Sequence, residues 1–312
     1  MVGLVAAQVV APACAQWYAA VDFVMPTRSD FSPPVLARNQ VVSGGETRVG
    51  SQTLLSGDDL PLDFVAGGRI VVGNRAGILG AEGSYMRTDN WHETASAFDS
   101  GAMLASPFTA VGALVDPTLD NNSSIVADYE TQLESAEVHL AHRVYSGSNG
   151  DLSLLYGARY LGIDESLRYL AIQNGPPVNT NSLAIGVDNR LIGPQIGALI
   201  ESPLYSGSVN FVFKTALAYH DTNKTTVFNG AVAQGSDQGA ALVGEFDVNA
   251  SFFITPRLHL RLGYQLLAIT DVALATDNFE SDTTVLNSGA ANIKMKRGLI
   301  YHGPYIGLVL VR

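Results

Sequence analysis

Apolar and polar residues alternate one by one through ten segments of this 312-residue chain, and no other feature limits its fold as strongly. A period of two is the period of a β-strand, in which successive side chains point to opposite faces. Clusters of Gly, Pro, Asn and Ser separate the segments and predict turns. The predicted strands are residues 17–25, 67–73, 78–88, 130–145, 152–163, 191–202, 208–221, 240–254, 258–271 and 299–311.

Short and long connections between these strands alternate along the chain. The short connections are residues 74–77, 146–151, 203–207 and 255–257, and tight turns of this kind join antiparallel neighbours. The long ones are residues 26–66, 89–129, 164–190, 222–239 and 272–298. Short periplasmic turns and long extracellular loops are typical of outer-membrane barrels. An even number of strands places both ends of the chain on the short-turn side.

The charged residues of the strands keep to one face. In the segment 240–254, Leu242, Phe246 and Val248 share one face, and Glu245 and Asp247 share the other. This separation suits a barrel wall in lipid, because a Lys or Arg facing the middle of the bilayer costs about 2–4 kcal/mol. After the first 15 residues no apolar run approaches the roughly 18 residues of a transmembrane helix, so any membrane crossing would use strands.

These patterns predict an all-β fold. We expect a single transmembrane antiparallel up-and-down β-barrel of about ten strands, with short periplasmic turns and long extracellular loops. Eight or twelve strands stay open, because the apolar stretch 102–115 could add a hairpin. A soluble barrel of the lipocalin type also stays open, since alternation does not exclude it and residues 301–311 are apolar on both faces.

The polar face of the strands predicts the lining of the lumen. The acidic members of this set number six and the basic members five, which favours ion pairs across the lumen over a strongly charged channel. The predicted lumen residues are Asp22, Arg69, Glu82, Glu137, His139, Arg143, Arg159, Gln195, Glu201, Lys214, His220, Glu245, Asp247, His259, Arg261 and Gln265.

The first residues resemble an export signal. Residues 2–15 carry no charged side chain and end in Ala13-Cys14-Ala15, the pattern that signal peptidase favours. We expect a signal peptide over 1–15 and the barrel over 16–312, with a short apolar N-terminus as the alternative because a basic region is missing. The only cysteine, Cys14, lies in this leader, so a cleaved chain has no thiol.

Export predicts the outer membrane of a Gram-negative-type envelope, with outer-membrane lipids and the barrel-assembly machinery as partners and the oligomeric state left open. Nucleic acid is excluded as a partner by the net charge of −11, because phosphate binding needs a basic face. The phosphate-loop, zinc-protease and serine-hydrolase motifs are absent from the sequence, and it has no cysteine pair. We therefore expect no catalytic residue, metal site or cofactor. Residues 120–123 lack the spaced carboxylates of a calcium loop and predict a solvated turn.

Aromatic residues gather near both ends of the predicted strands. They can form the two girdles of a membrane barrel, although aromatic side chains are also common in strands in general. The candidates are Trp17, Tyr145, Tyr205 and Phe252 at the short-turn end, and Tyr129, Tyr160, Tyr219 and Tyr301 at the long-loop end.

Several short stretches, in their order along the chain, resemble the planctomycete-type outer-membrane β-barrel porins known as β-barrel porin seven. They are Trp17-Tyr18-Ala19-Ala20-Val21-Asp22, Pro33-Pro34-Val35-Leu36, Gly67-Gly68-Arg69-Ile70, Leu154-Leu155-Tyr156-Gly157-Ala158-Arg159-Tyr160-Leu161 with Asp164-Glu165, Gly193-Pro194-Gln195-Ile196-Gly197 and Gly307-Leu308-Val309-Leu310. The resemblance implies an outer-membrane barrel and supplies no catalytic residues. The chain departs from outer-membrane barrels in its ending, Val311-Arg312, where an aromatic residue is usual.

Three functions are compatible with this sequence. The first is porin-like passive passage of small solutes or ions through a narrow lumen, since ten strands leave little interior space. The second is a non-conducting structural or surface-interaction barrel that acts through its long loops. The third is a barrel-rim protease, suggested only by His220-Asp221 at the long-loop end of a strand.

If the barrel conducts, it should be weakly cation-selective. Residues 89–129 contain six acids and no Lys or Arg, and an acidic mouth attracts cations over about 8 Å at physiological salt. The alternative is that these acids only keep an exposed surface soluble or bind divalent ions beside lipids.

Overall fold

Ten strands close a ring of antiparallel ladders, in which each strand is hydrogen-bonded to a neighbour on both sides. The computed structural model describes residues 16–29, 34–60, 62–101, 103–173, 178–280, 286, 288–289, 291–296 and 298–312. The strands are β1 Gln16–Val24, β2 Thr27–Ser29, β3 Val35–Ser43, β4 Glu46–Ser56, β5 Gly67–Ala76, β6 Leu79–Thr88, β7 Trp91–Phe98, β8 Leu104–Ala105, β9 Asn122–Gly147, β10 Gly150–Gln173, β11 Thr180–Leu204, β12 Gly207–Phe228, β13 Ala231–Phe253, β14 Leu258–Ile269, β15 Val272–Ala273, β16 Met295–Lys296 and β17 Leu299–Val311.

The ring runs in the order β9, β10, β11, β12, β13, β14, β17, β1, β5, β6 and back to β9. Each predicted strand corresponds to one strand of this ring, so the all-β antiparallel prediction is confirmed. Within the described residues, the structure contains no helix of the length and hydropathy needed to cross a membrane. The predicted leader, residues 1–15, lies outside the described residues.

The two ends of the ring differ. Tight turns join β5 to β6, β9 to β10, β11 to β12 and β13 to β14 at one end, where β1 begins and β17 finishes. We call this the short-turn end and the opposite one the long-loop end. In the part that is described, residues 102–115 add no hairpin to the ring; Leu104–Ala105 pairs with β3, and Leu114 forms a single bridge with Arg48 on β4.

Two of the predicted long loops are strands, which corrects the sequence analysis. β10 and β11 pair as far as Ile172 and Thr180, and β12 and β13 pair up to a turn at Asn229-Gly230. Both turn residues have positive φ, 45° and 88°, where glycine is the residue best tolerated. On β10 and β11 the strands were missed because the polarity of their two faces is exchanged, and on β12 because both faces are polar from Thr222 to Thr226. On β10, Tyr156 faces outward near the short-turn end, whereas Leu167 and Tyr169 face inward near the long-loop end.

Apolar side chains fill the ring towards the long-loop end. The connections β1 to β5, β6 to β9 and β14 to β17 supply part of this packing, and we call their described residues in 34–66, 99–121 and 270–298 the interior segments. The residues they bury include Leu36, Leu55, Leu60, Leu104, Val272, Leu274 and Phe279. They pack on inward wall residues such as Leu133, Leu161, Ile163, Leu167, Tyr169, Leu191 and Val243. We call the two connected apolar clusters the plug.

Three sequence-based assignments change with the plug. Tyr129 and Tyr301 are 1% and 2% exposed inside the ring, so they do not belong to an outer aromatic girdle. Asp120 and Asn122 are fully buried and bond the main chain, so residues 120–123 are not a solvated turn. At the short-turn end Trp17, Tyr145, Tyr205 and Phe252 are exposed, as a girdle requires.

Candidate functional site: a charged cup below the plug

A cavity of about 520 Å³ opens at the short-turn end and reaches inward to the plug. We call it the cup. Eleven of the predicted lumen residues line it: Arg69, Glu82, Glu137, His139, Arg143, Glu201, Lys214, Glu245, Asp247, His259 and Arg261. Asp22, Arg159 and Gln195 are more deeply buried and bond to residues of the lining, and Gln265 accepts a bond from Arg69. His220 lies further from the mouth, at the level of the plug.

The first group of charges at the floor of the cup is built on Asp22. This carboxylate accepts hydrogen bonds from Arg69 Nε at 2.7 Å and from Arg261 Nη2 at 2.5 Å. Arg69 Nη1 also lies 3.4 Å from Asp247, which stands on β13, well around the ring from β5. The Arg69 guanidinium lies over the Tyr305 ring at 4.1 Å, and the Tyr305 hydroxyl donates to Asp247 at 2.9 Å. The group therefore ties distant strands together across the lumen.

The second group contains two carboxylates and two cations. Lys214 Nζ lies 2.6 Å from Glu137 and 3.2 Å from Glu245. Arg159 donates to the same two carboxylates, at 2.7 Å to Glu137. Gln195 adds a bond to Glu137 at 3.1 Å. Lys214 on β12 and Glu137 on β9 are separated by two strands, so these pairs also bridge the lumen.

The sequence prediction missed two residues at the mouth of the cup. Arg75 on β5 pairs with Glu201 on β11 at 2.6 Å, across the opening. Tyr18 donates to Glu82, and Glu82 lies 3.6 Å from His139 Nε2. Both omissions were detectable, because Tyr18 shares the inward phase of Asp22 and Arg75 shares that of Arg69.

The plug closes the inner end of the cup. Directly beyond the two charged groups, Leu161, Leu191, Val243 and Leu267 point inward and are at most 2% exposed. Beyond them the interior segments fill the lumen. These buried side chains pack against one another as in the close-packed interior of a protein.

Polar side chains of the wall hold the interior segments by their main chain. The Asn189 amide exchanges two hydrogen bonds with Ala273, accepting at 2.9 Å and donating at 2.8 Å. Asn181 donates to the Thr118 carbonyl at 2.7 Å. Glu165 accepts the Ala275 N–H at 2.7 Å.

An ion pair and a lysine complete these attachments. Arg28, on β2, which continues the ladder of β1 along β17, pairs with Glu165 on β10, and both side chains are fully buried. Lys224 Nζ donates to the Asn292 carbonyl at 2.8 Å and lies 3.4 Å from the Asn278 carbonyl. Burial lowers the pKa of Lys224 below its usual range, and the charge of Lys294 lowers it further.

His220 and Asp221 do not form a catalytic pair. His220 faces inward and is 4% exposed, and neither of its ring nitrogens has a hydrogen-bond partner among the residues that the structure describes. Asp221 is the next residue on β12 and therefore points to the opposite face. The basis for a barrel-rim protease is thus removed. In the described part of the chain, no cluster of three or more His, Cys, Asp or Glu side chains could hold a metal ion.

Among solved structures, the chain is similar to the outer membrane protease OmpT from Escherichia coli, with 11% identity, a TM-score of 0.57, and 95% of this chain and 97% of that one covered. It is also similar to a major outer membrane protein from Thermus thermophilus (10% identity, TM-score 0.35, 96% and 100% covered) and to the toluene transporter TbuX of Ralstonia pickettii (9%, 0.32, 95% and 88%).

At 11% identity the similarity to OmpT concerns the fold alone. The TM-scores of the other two structures are below 0.5, so we conclude nothing further from them. No curated protein matches the chain. The family described as "Putative beta barrel porin-7 (BBP7)" matches residues 30–297, which include eight of the ten ring strands and the charges of the cup other than Asp22. This family points to the outer membrane. The chain belongs to this family of porin-type β-barrels.

Proposed function

We propose that the protein is an outer-membrane barrel with ten transmembrane strands that is closed to passive passage and acts as a structural or surface-interaction protein. The single observation that carries this proposal is the plug. The part of the ring nearest the long-loop end contains fully buried side chains such as Tyr169, Leu183 and Ile185, packed on the interior segments. Ions crossing such a layer would lose their hydration without compensation.

An apolar outer belt supports the membrane placement. Near the short-turn end the outward residues of neighbouring strands are apolar and exposed, among them Val138, Leu140, Tyr156, Ile192, Ile196, Phe213, Leu217, Leu242, Ile306 and Leu308. On β12 this run extends from Val209 to Tyr219, about the length with which a tilted strand crosses a bilayer. Further along, Asp164, Asp188 and Asp221 take the outward positions, so the belt ends there.

The part of the wall beyond the belt is the surface that would act. β9 to β13 continue past the belt, with polar residues outside and the plug inside. This region would present a broad surface on the outer side of the membrane. We also infer that the protein is not an enzyme, which its porin-type family and the separation of His220 from Asp221 support.

Planar-bilayer recordings of the purified, folded barrel test the closed state. We expect no sustained open level at moderate voltage, because the plug spans the lumen. Inserted protein is verified by protease protection of the reconstituted barrel in vesicles from the same preparation. Regular conductance steps of porin size in wild-type protein would contradict the proposal.

Gated passage of small solutes is the second candidate. Membership of a porin-type family and the polar cup favour it, and it requires displacement of the interior segments. In that case the acidic loop residues should make the open state weakly cation-selective, with a preference that fades as salt rises. Reversal potentials in a salt gradient measure this, and a preference for anions at low ionic strength would refute the selectivity.

A further inference from the structure

We propose that the cup binds a neutral, hydroxyl-rich small molecule of the sugar or polyol class, which enters from the short-turn end. The cup is a concave site of about 520 Å³, within the range of small-molecule sites, roughly 300–1,000 Å³. Because the plug closes its inner end, a molecule that enters would be held there. This inference goes beyond the proposed function, since it does not depend on whether the barrel conducts.

The charges of the cup argue for a neutral ligand. Among the described residues that line it, every Asp, Glu, Lys and Arg has a partner of opposite charge or, for Glu82, a tyrosine and a histidine. A charged ligand would therefore have to break an existing pair. A neutral ligand can use the hydrogen-bonding capacity that these pairs leave unused, because a guanidinium has five N–H groups and a carboxylate about four acceptor sites.

One wall of the cup is lined by uncharged hydrogen-bonding groups. Asn210 on β12 stands opposite Asn249 on β13, and Ser208 stands opposite Ser251 one step nearer the mouth. Asn210 Nδ2 donates to Asn249 Oδ1 at 3.0 Å, and Asn249 donates to Asp247 at 2.8 Å. Amides and hydroxyls can both donate and accept, as the hydroxyls of a polyol require.

Rings at the mouth supply an apolar surface. Phe253 and His259 line the cup with their ring centroids 4.6 Å apart, and Tyr18 lies further in. The faces of such rings can pack against the C–H side of a sugar ring while amides and charged pairs bond its hydroxyls. Charged floor, polar wall and aromatic mouth together fit a polyhydroxylated ring better than a metal ion or a hydrocarbon.

Isothermal titration calorimetry on the folded protein in detergent tests the proposal. The probes are glucose, sucrose, and two charged relatives of glucose, gluconate and glucosamine. We expect saturable binding of at least one neutral sugar, about tenfold tighter than either charged relative. Asn210→Leu should weaken this binding about tenfold, since it removes a donor and an acceptor. Asn223→Leu, at an exposed outward position on the same strand, should leave it unchanged.

Phe253→Ala serves as a second test. The Phe253 side chain is partly exposed at the mouth, so the variant should still fold. It should weaken sugar binding severalfold. The inference is overturned if neither sugar binds up to about 100 mM, if gluconate or glucosamine binds as tightly, or if both cup variants bind like wild type. None of these outcomes bears on the bilayer recordings, so failure here is distinguishable from failure of the closed-barrel proposal.

Discussion

A single buried carboxylate on β10 contacts both β2, on another part of the wall, and one interior segment. Glu165 pairs with Arg28 and accepts the Ala275 N–H, and both charged side chains are fully buried. Glu165→Gln keeps the shape and an acceptor but removes the buried negative charge that faces the Arg28 guanidinium. We expect the free energy of unfolding to fall by about 3–5 kcal/mol. Urea titration of the folded protein in detergent measures the change.

The neighbouring Asp164 provides a matched control. It points outward and pairs with Arg190, with both side chains more than a third exposed. Asp164→Asn should change the unfolding free energy by at most about 1 kcal/mol, because exposed pairs are screened. Equal effects of the two substitutions would show that Glu165 is not a special attachment of the plug.

Lys224 gives a pH-dependent prediction. Its pKa is lowered in the folded state by burial and by the charge of Lys294. The protonated form therefore opposes folding at neutral pH, and this penalty disappears as pH rises from the lowered pKa towards the ordinary value of about 10.4. Relative to Lys224→Met, the wild type should gain stability between pH 7 and pH 10. A difference that stays constant or shrinks over this range would contradict the assignment.

At the scale of elements, the period of two predicted which face of each strand points inward but not how far the strands extend. Asp22 and Glu137 could be placed on the inner face from alternation alone. Two of their partners could not, because Arg261 with Asp22 and Lys214 with Glu137 join strands that are not adjacent. The extensions of β10 and β11 were missed because the outward residues there are mostly polar and the inward ones mostly apolar, the reverse of a lipid-facing wall. The extension of β12 was missed because polar residues such as Thr222 and Asn223 occupy both faces.

Hydrogen exchange can distinguish these strand extensions from loops. Residues 221–228 of β12 are paired on both sides, so their amides should exchange slowly. On β13, residues 231–241 pair with β12 on one side, whereas the ladder with β14 begins only at Val243. Alternate amides of this stretch should therefore exchange quickly. Mass spectrometry or NMR of the protein in detergent measures both, and uniformly fast exchange across 221–241 would contradict the structure.

At the scale of the whole molecule, the sequence predicted the barrel wall but not the plug that fills its lumen. The all-β ring and its two unequal ends followed from alternation and from the spacing of turns. The plug did not, because residues such as Leu36, Leu104 and Phe279 lie in connections whose packing is set only by the closed ring around them. Because the plug fills this ring, the number of strands alone does not show whether the lumen is open or filled.

The unequal ends predict an asymmetric height above the membrane. β10 continues from Tyr160, at the upper limit of the belt, to Gln173, and 13 residues at about 3.3 Å each, tilted by about 40°, rise about 30 Å. The short-turn end has only tight turns and should project by less than about 10 Å. Atomic force microscopy of the barrel in supported bilayers should thus find two protrusion heights, one for each orientation. Equal heights on both faces would mean that the wall ends at the lipid surface and that the plug lies within the membrane.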